Sequence, residues 1–138
     1  MKVLMVAPPI TFLPFEKPRV VAPLGIAYIA AFLEKDGKEV KILDTVGSGW
    51  RNREPVKIGG HDFVRVGLPA QQIQEAVAAM RPDVVGISCL FSSQAHNAHA
   101  VAKLVKSIDG KIATVFGGAH PSVVAEKTLQ DPNVDFVV

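Results

Sequence analysis

A chain of 138 residues and 14.8 kDa is the size of one domain with a sizeable core and too short for two ordinary ones. Hydrophobic residues at 49% against 20% charged, with mean hydropathy +0.27, exclude a disordered or collagen-like chain. A net charge of +2, with Lys and Arg spread along the chain, lacks the one-sided basicity of a nucleic-acid-binding face.

The run Lys2 to Ala7 predicts a strand, and Pro8-Pro9 cut it short of a signal-peptide core. Pro8 to Ala22 reads as a loop stiffened by Pro8, Pro9, Pro14 and Pro18. Pro23 opens a first helix that ends at Gly37, where a left-handed cap is natural. It is apolar nearly all round, which predicts deep packing; its longest apolar stretch, Ile26 to Leu33, is far below the ~20 residues of a membrane span. A second strand covers Glu39 to Leu43. Residues 45–68 form a long loop with a small hairpin, Val56 to Ile58 and Phe63 to Val66 flanking Gly59-Gly60.

A second helix follows Pro69, with Ile73, Ala76, Val77 and Met80 at helical spacing, and Arg81-Pro82 ends it. Asp83 to Ser88 is a third strand. A third helix, capped by Ser92 or Ser93, aligns Ala98, Val101, Ala102, Val105 and Ile108 on one stripe, which leaves His96 and His99 in solvent. A fourth strand, Ile112 to Phe116, a fourth helix from Pro121 to Asp131-Pro132, and a fifth strand, Val134 to Val138, complete the series. Strands alternating with helices predict an α/β fold with a five-stranded parallel sheet built from βαβ units.

The first turn, Ala7-Pro8-Pro9-Ile10, has no glycine and few amide donors, which argues against a dinucleotide or flavin phosphate loop. A receiver-type carboxylate pair and a P-loop are missing there too. Cys89 is the single cysteine, so no internal disulfide forms and a reducing cytoplasm is expected. Its place between Ser88 and Leu90 marks a small buried filler. No CxxC or paired histidine spacing holds a metal.

The informative segments follow strands two to four: Asp44-Thr45-Val46-Gly47-Ser48-Gly49, then Ser88-Cys89-Leu90, then Gly117-Gly118. Their order resembles the fingerprint of cobalamin-binding domains, Asp-x-His-x-x-Gly, Ser-x-Leu and Gly-Gly, with 26 residues between Leu90 and Gly117. Val46 stands where the fingerprint has histidine, and valine has no lone pair to offer cobalt. Pro8-Pro9, Pro23-Leu24-Gly25-Ile26-Ala27-Tyr28, Pro82-Asp83-Val84-Val85-Gly86-Ile87-Ser88, Gly117-Gly118-Ala119-His120-Pro121 and Asn133-Val134-Asp135-Phe136-Val137 extend the likeness. With them the chain is similar to the N-terminal domain of cobalamin-dependent radical S-adenosylmethionine enzymes.

That resemblance implies a flavodoxin-like (Rossmann-like) three-layer fold of sheet order 2-1-3-4-5, and a cobalamin cofactor without a histidine lower ligand. The corrin would lie above the strand ends, lined by the Pro-rich first loop, by Thr45, Val46, Gly47 and Gly49, and by Leu90, Phe91, Ser92, Ser93 and Gln94. The nucleotide tail would pass Ser88 and Gly117-Gly118, whose small side chains allow close approach. It further implies a methyltransferase to an unactivated carbon, or a related cyclase. The iron–sulfur cluster and S-adenosylmethionine would belong to a catalytic domain downstream on the same polypeptide, because one cysteine cannot hold a cluster.

Other roles fit the same residues. Asp44 is either a cofactor contact or a helix-cap or loop residue, Ser88 a tail contact or a satisfied strand hydroxyl, and Gly117-Gly118 a tail channel or a plain turn. His120 either starts a helix or contacts the tail, and His61 belongs to the hairpin turn or approaches cobalt. A degenerate, cofactor-free docking module is the alternative function. The family pattern continues past strand five into a last helix, so a fragment is expected. One face of Val84, Val85, Ile87, Val115, Phe116, Phe136 and Val137 would then be partly bare and prone to self-association.

Overall fold

The computed structural model describes residues 1–138. Strands β1 (Lys2–Ala7), β3 (Glu39–Asp44), β6 (Val84–Ser88), β7 (Ala113–Gly117) and β8 (Phe136–Val137) form one parallel sheet of order β3-β1-β6-β7-β8. This is the 2-1-3-4-5 order of the flavodoxin-like fold. The expected fifth strand shrinks to the two residues of β8.

Because side chains alternate along a strand, the parallel register sorts the sheet into two faces. Leu4, Val6, Val85, Ile87 and Phe116 join one core with Val77 and Met80 of α3 (Ala70–Met80) and with Ala98, Val101, Ala102 and Val105 of α4 (Ala95–Ile108). The four α4 residues belong to the stripe of five read from the sequence, whose last member, Ile108, is partly buried against the same core. On the other face Val3 and Met5 form a smaller cluster with Ile26 and Ala30 of α1 (Leu24–Lys35), with Leu33, Val40 and Val84 packed against it.

Deep packing of α1 is therefore overturned: Leu24 is 65% exposed, Tyr28 78% and Phe32 72%. The helix rests mainly on β3 and β1. The bare face also differs from expectation. Val85, Ile87 and Phe116 are buried on the α3–α4 side, whereas Val84 and Val115 are half-covered and Phe136 is exposed on the α1 side.

Three local readings change as well. The Pro-rich segment contains a strand, β2 (Ile10–Phe12), and 45–68 begins with a short helix, α2 (Thr45–Gly49). β2 pairs with β5 (His61–Val66), which pairs with β4 (Arg53–Ile58), giving a second, antiparallel sheet. Gly59 and Gly60, at φ +58° and +82°, supply the left-handed pair that a two-residue hairpin turn requires. The expected fourth helix breaks at Val124 into α5 (Ala119–Val123) and α6 (Ala125–Thr128). Neither Ser92 nor Ser93 caps α4; Ser92–Gln94 form one 3-10 turn ahead of it.

Two carboxylates tie the edge strand and its approach to the body. Asp135 accepts from Thr114 N at 2.7 Å and from Lys106 Nζ at 2.6 Å. Asp131 accepts from Asn133 N at 2.9 Å and from His99 Nδ1 at 2.5 Å. His99 is thus not the free, solvated side chain the stripe implied; its ring also lies 5.0 Å from Phe116.

Burial pushes both carboxyls up, but these bonds outweigh it and hold both below the ordinary carboxylate range. A depressed folded pKa contributes stability above the unfolded value of about 3.9, lost as pH falls through the folded value. Urea unfolding is expected to weaken between pH 5 and pH 3, and Asp135→Asn to flatten that fall. An Asp135→Asn curve parallel to wild type would remove Asp135 from the account.

Candidate cofactor site

All the motif segments lie at the carboxyl ends of the parallel strands, where open α/β sheets bind ligands. The chain leaves β1 toward β3 on one side and β6 toward β7 on the other, so the topological switch point falls between β1 and β6. Pro8-Pro9 and Ser88-Cys89-Leu90 border it.

The segments after β6 and β7 are brought together directly. Cys89 N donates to Gly117 O at 2.8 Å, His120 N to Cys89 O at 3.2 Å, and His120 Nδ1 lies 2.9 Å from Ser92 Oγ. Gly118 has φ +116°, and a Cβ there would sit 2.6 Å from Cys89 O. The turn reading of Gly118 is thereby accounted for by backbone contact. Gly117 differs, since a Cβ there would meet only Val138 Cγ2 at 3.3 Å. Cys89 is buried, and burial pushes its thiol up, away from a reactive thiolate.

The segment after β3 stands apart, three strands from β7 or about 14 Å at roughly 4.8 Å per strand. Asp44 caps α2, its carboxylate accepting from Gly47 N at 2.9 Å. Thr45 has no exposed surface and donates from its hydroxyl to Ala7 O at 2.7 Å, while Val46 is only 7% exposed. Gly49 packs against the backbone of Gly67-Leu68. Beyond it a cleft of about 360 Å³ is lined by Ser48, Trp50, Arg51, Asn52, Leu68 and Gln72.

Leu90 and Phe91 project from the rim with most of their surface in solvent, and Ser93 is exposed beside them. Gln94 points elsewhere: its amide is taken up by Thr11 of β2. The sequence carried no sign of Thr11 or Asn97 as partners of this rim, because each lies more than 80 residues from or hidden within its own element. His61 is exposed at the hairpin turn. No group of three or more His, Cys, Asp or Glu is placed to hold a metal ion, and no helix is long and apolar enough to cross a membrane.

Residues 18–138 match the family model of the B12 binding domain. The chain belongs to the B12-binding domain family. This B12-binding domain is 44% identical over 136 residues to cytidylyl-2-hydroxyethylphosphonate methyltransferase of Streptomyces wedmorensis, covering 99% of the chain and 25% of that protein. It is 23% identical over 118 residues to anaerobic magnesium-protoporphyrin IX monomethyl ester cyclase of Rubrivivax gelatinosus, covering 84% of the chain and 18% of that protein. The chain therefore spans a quarter or less of the length of these relatives. A cobalamin-binding protein of Desulfitobacterium hafniense shares the fold at TM-score 0.62 and 15% identity, over 99% of this chain and 52% of that one.

Beside α1 this B12-binding domain carries a row of small and β-branched residues, closed at Gly86 by Met5, whose Sδ would lie 2.7 Å from a Cβ there. On that sheet face β6 and β7 present Val84, Gly86, Ser88, Ala113, Val115 and Gly117, by the pairings Val84↔Ala113, Gly86↔Val115 and Ser88↔Gly117. These are small or β-branched residues. Ser88 is half-buried at the inner end of the row, a hydroxyl able to donate and accept.

Proposed function

We propose that this chain binds cobalamin as the cofactor-carrying domain of a radical S-adenosylmethionine enzyme, a methyltransferase to an unactivated carbon or a related cyclase. The observation that carries the reading is the furrow of small and β-branched residues on the α1 side of β6 and β7, bounded by Met5 at Gly86 and ending in Ser88 and Gly117 beside the switch point. The two relatives, one a methyltransferase and the other a cyclase, support the enzyme class.

In this reading each element has a defined task. Gly117 leaves room for the nucleotide tail, and Ser88 meets one of its polar atoms. Leu90 and Phe91 give the corrin an apolar rim, which becomes favourable once covered. Pro8 and Pro9 hold the opposite lip with fixed φ angles and no donor to spend. Asp44, Thr45, Val46, Gly47 and Gly49 act from behind, by fixing the end of β3 to β1 and to the hairpin base. When bound, cobalamin supplies a cobalt centre that carries a methyl group. Val46 offers that centre no ligand. The cluster and S-adenosylmethionine belong to a separate catalytic domain of the same polypeptide.

Hydroxocobalamin titrated into the chain is expected to give saturable binding by visible spectrum and calorimetry. The electron paramagnetic resonance spectrum of the cob(II)alamin form should lack nitrogen splitting from an axial imidazole. A flat titration, repeated with a longer version of the polypeptide, would favour the cofactor-free docking module; imidazole splitting would identify a histidine ligand, His61 being the first to replace.

A further inference from the structure

A strand of three residues has little to hold it. β2 pairs with β5 along one edge only, through Ile10↔Val66, Thr11↔Arg65 and Phe12↔Val64. Thr11 therefore turns its N–H and C=O toward the other edge, where an unpaired strand would normally face water. Both are met by one side chain. Gln94 accepts from Thr11 N through Oε1 at 2.8 Å and donates from Nε2 to Thr11 O at 2.8 Å. The carboxamide reproduces the two-point pairing of a neighbouring strand residue.

The orientation of that carboxamide is itself determined. Asn97, a buried polar residue of α4, donates from Nδ2 to Gln94 Oε1 at 2.9 Å and to Thr11 Oγ1 at 2.8 Å. With its oxygen occupied as an acceptor, the Thr11 hydroxyl has its proton free for His96 Nε2, 3.0 Å away. Burial lowers the His96 pKa, against a hydrogen bond that the ring donates to the Ser93 backbone and that raises it, and so favours the neutral ring whose Nε2 accepts. Thr11 and Asn97, the buried members, have their side-chain polar groups paired, the condition under which a polar network rigidifies its surroundings.

The position of this network matters more than its strength. The small sheet is also anchored at its other end, where Leu68 N donates to Thr45 O at 2.8 Å and Gly67 packs on Pro9. It thus bridges from α2, over the end of β1, to the start of α4, which directly follows the Ser88-to-Phe91 rim.

We propose that Gln94 and Asn97 are positioning residues: a side-chain substitute for a missing strand, which latches the antiparallel sheet to α4 and sets the width of the crevice at the switch point. The consequence for the cofactor rests on the cobalamin reading above; the latch itself does not. Gln94 is accordingly a holder of the site wall and not a cofactor contact.

Gln94→Met keeps the length and flexibility of the side chain and removes both hydrogen bonds. Asn97→Asp removes the two donors, and Thr11→Ser keeps every polar atom. Hydrogen exchange of the Thr11 amide, without cofactor, is expected to rise roughly tenfold in Gln94→Met and Asn97→Asp, about the effect of one lost hydrogen bond, and to stay at the wild-type rate in Thr11→Ser. In the same two variants hydroxocobalamin affinity should fall by about three- to tenfold with a changed visible spectrum of the bound form, while Thr11→Ser keeps both as in wild type.

Unchanged Thr11 exchange in Gln94→Met would overturn the latch. Faster exchange with unchanged affinity and spectrum would overturn its role in setting the crevice. A wild-type chain that binds no hydroxocobalamin would instead overturn the proposed function, with the exchange arm still deciding the latch.

Discussion

Replacing Gly118 with alanine is expected to lower the unfolding free energy by about 3 kcal/mol or more, among the larger single-residue effects. Two causes add. A side chain at φ +116° is strained wherever it is placed, and this one would stand 2.6 Å from Cys89 O and 2.9 Å from Cys89 C. Both are backbone atoms of the end of β6, held by Cys89 N to Gly117 O and by His120 N to Cys89 O. Relief requires the ends of β6 and β7 to part. Gly117→Leu is the informative companion, because its Cβ meets only the movable Val138 side chain. It should cost less than about 1 kcal/mol, near the ordinary range for tolerated substitutions, yet abolish hydroxocobalamin binding by filling the furrow. Urea unfolding and cobalamin titration of both variants check the pair. Wild-type stability in Gly118→Ala would dismiss the close backbone approach, and wild-type affinity in Gly117→Leu would move the tail channel elsewhere.

Gly49→Ala should be comparably damaging, about 3 kcal/mol, for a different reason. Gly49 ends α2 with ordinary helical backbone, so conformation is not at issue. The added Cβ would lie 2.3 Å from Leu68 N and 2.4 Å from Gly67 C, the backbone at the foot of the hairpin. That foot is fixed by Leu68 N to Thr45 O and by Asn52 Nδ2 to Gly67 O at 2.9 Å. Pushing it away loosens the wall opposite the Gln94 latch. Trp50, the single tryptophan, adjoins Gly49 and carries Arg51 5.0 Å over its ring, so its emission reports on this join directly. A lowered urea midpoint with altered Trp50 emission is expected; an unshifted midpoint and spectrum would show that α2 and the hairpin are independent.

The sequence by itself determined the features that repeat locally. Alternation, helical spacing and breakers placed the five parallel strands, α1, α3 and α4, the hairpin at Gly59-Gly60 and the helix end at Arg81, and the order of motifs at the strand ends identified the B12-binding family. Each of these signals is a property of neighbouring residues. Only the tertiary structure decided the rest. Ile10 to Phe12 is too short to show a period, and it becomes a strand because β5 and Gln94 supply partners from far along the chain. The apolar character of α1 suggested burial on all sides, but burial depends on what a helix rests on, and α1 meets the sheet along β3 and β1, burying Ile26 and Ala30. Asp44, Gly49, Gly117 and Gly118 looked alike as motif residues. Their roles separated once the fold showed that Asp44 caps a helix, Gly49 and Gly118 lie against distant backbone, and Gly117 faces only the movable Val138 side chain. A linear motif records which residues are small or polar, and only packing in three dimensions decides whether the space beside them is filled by the chain or left for a ligand.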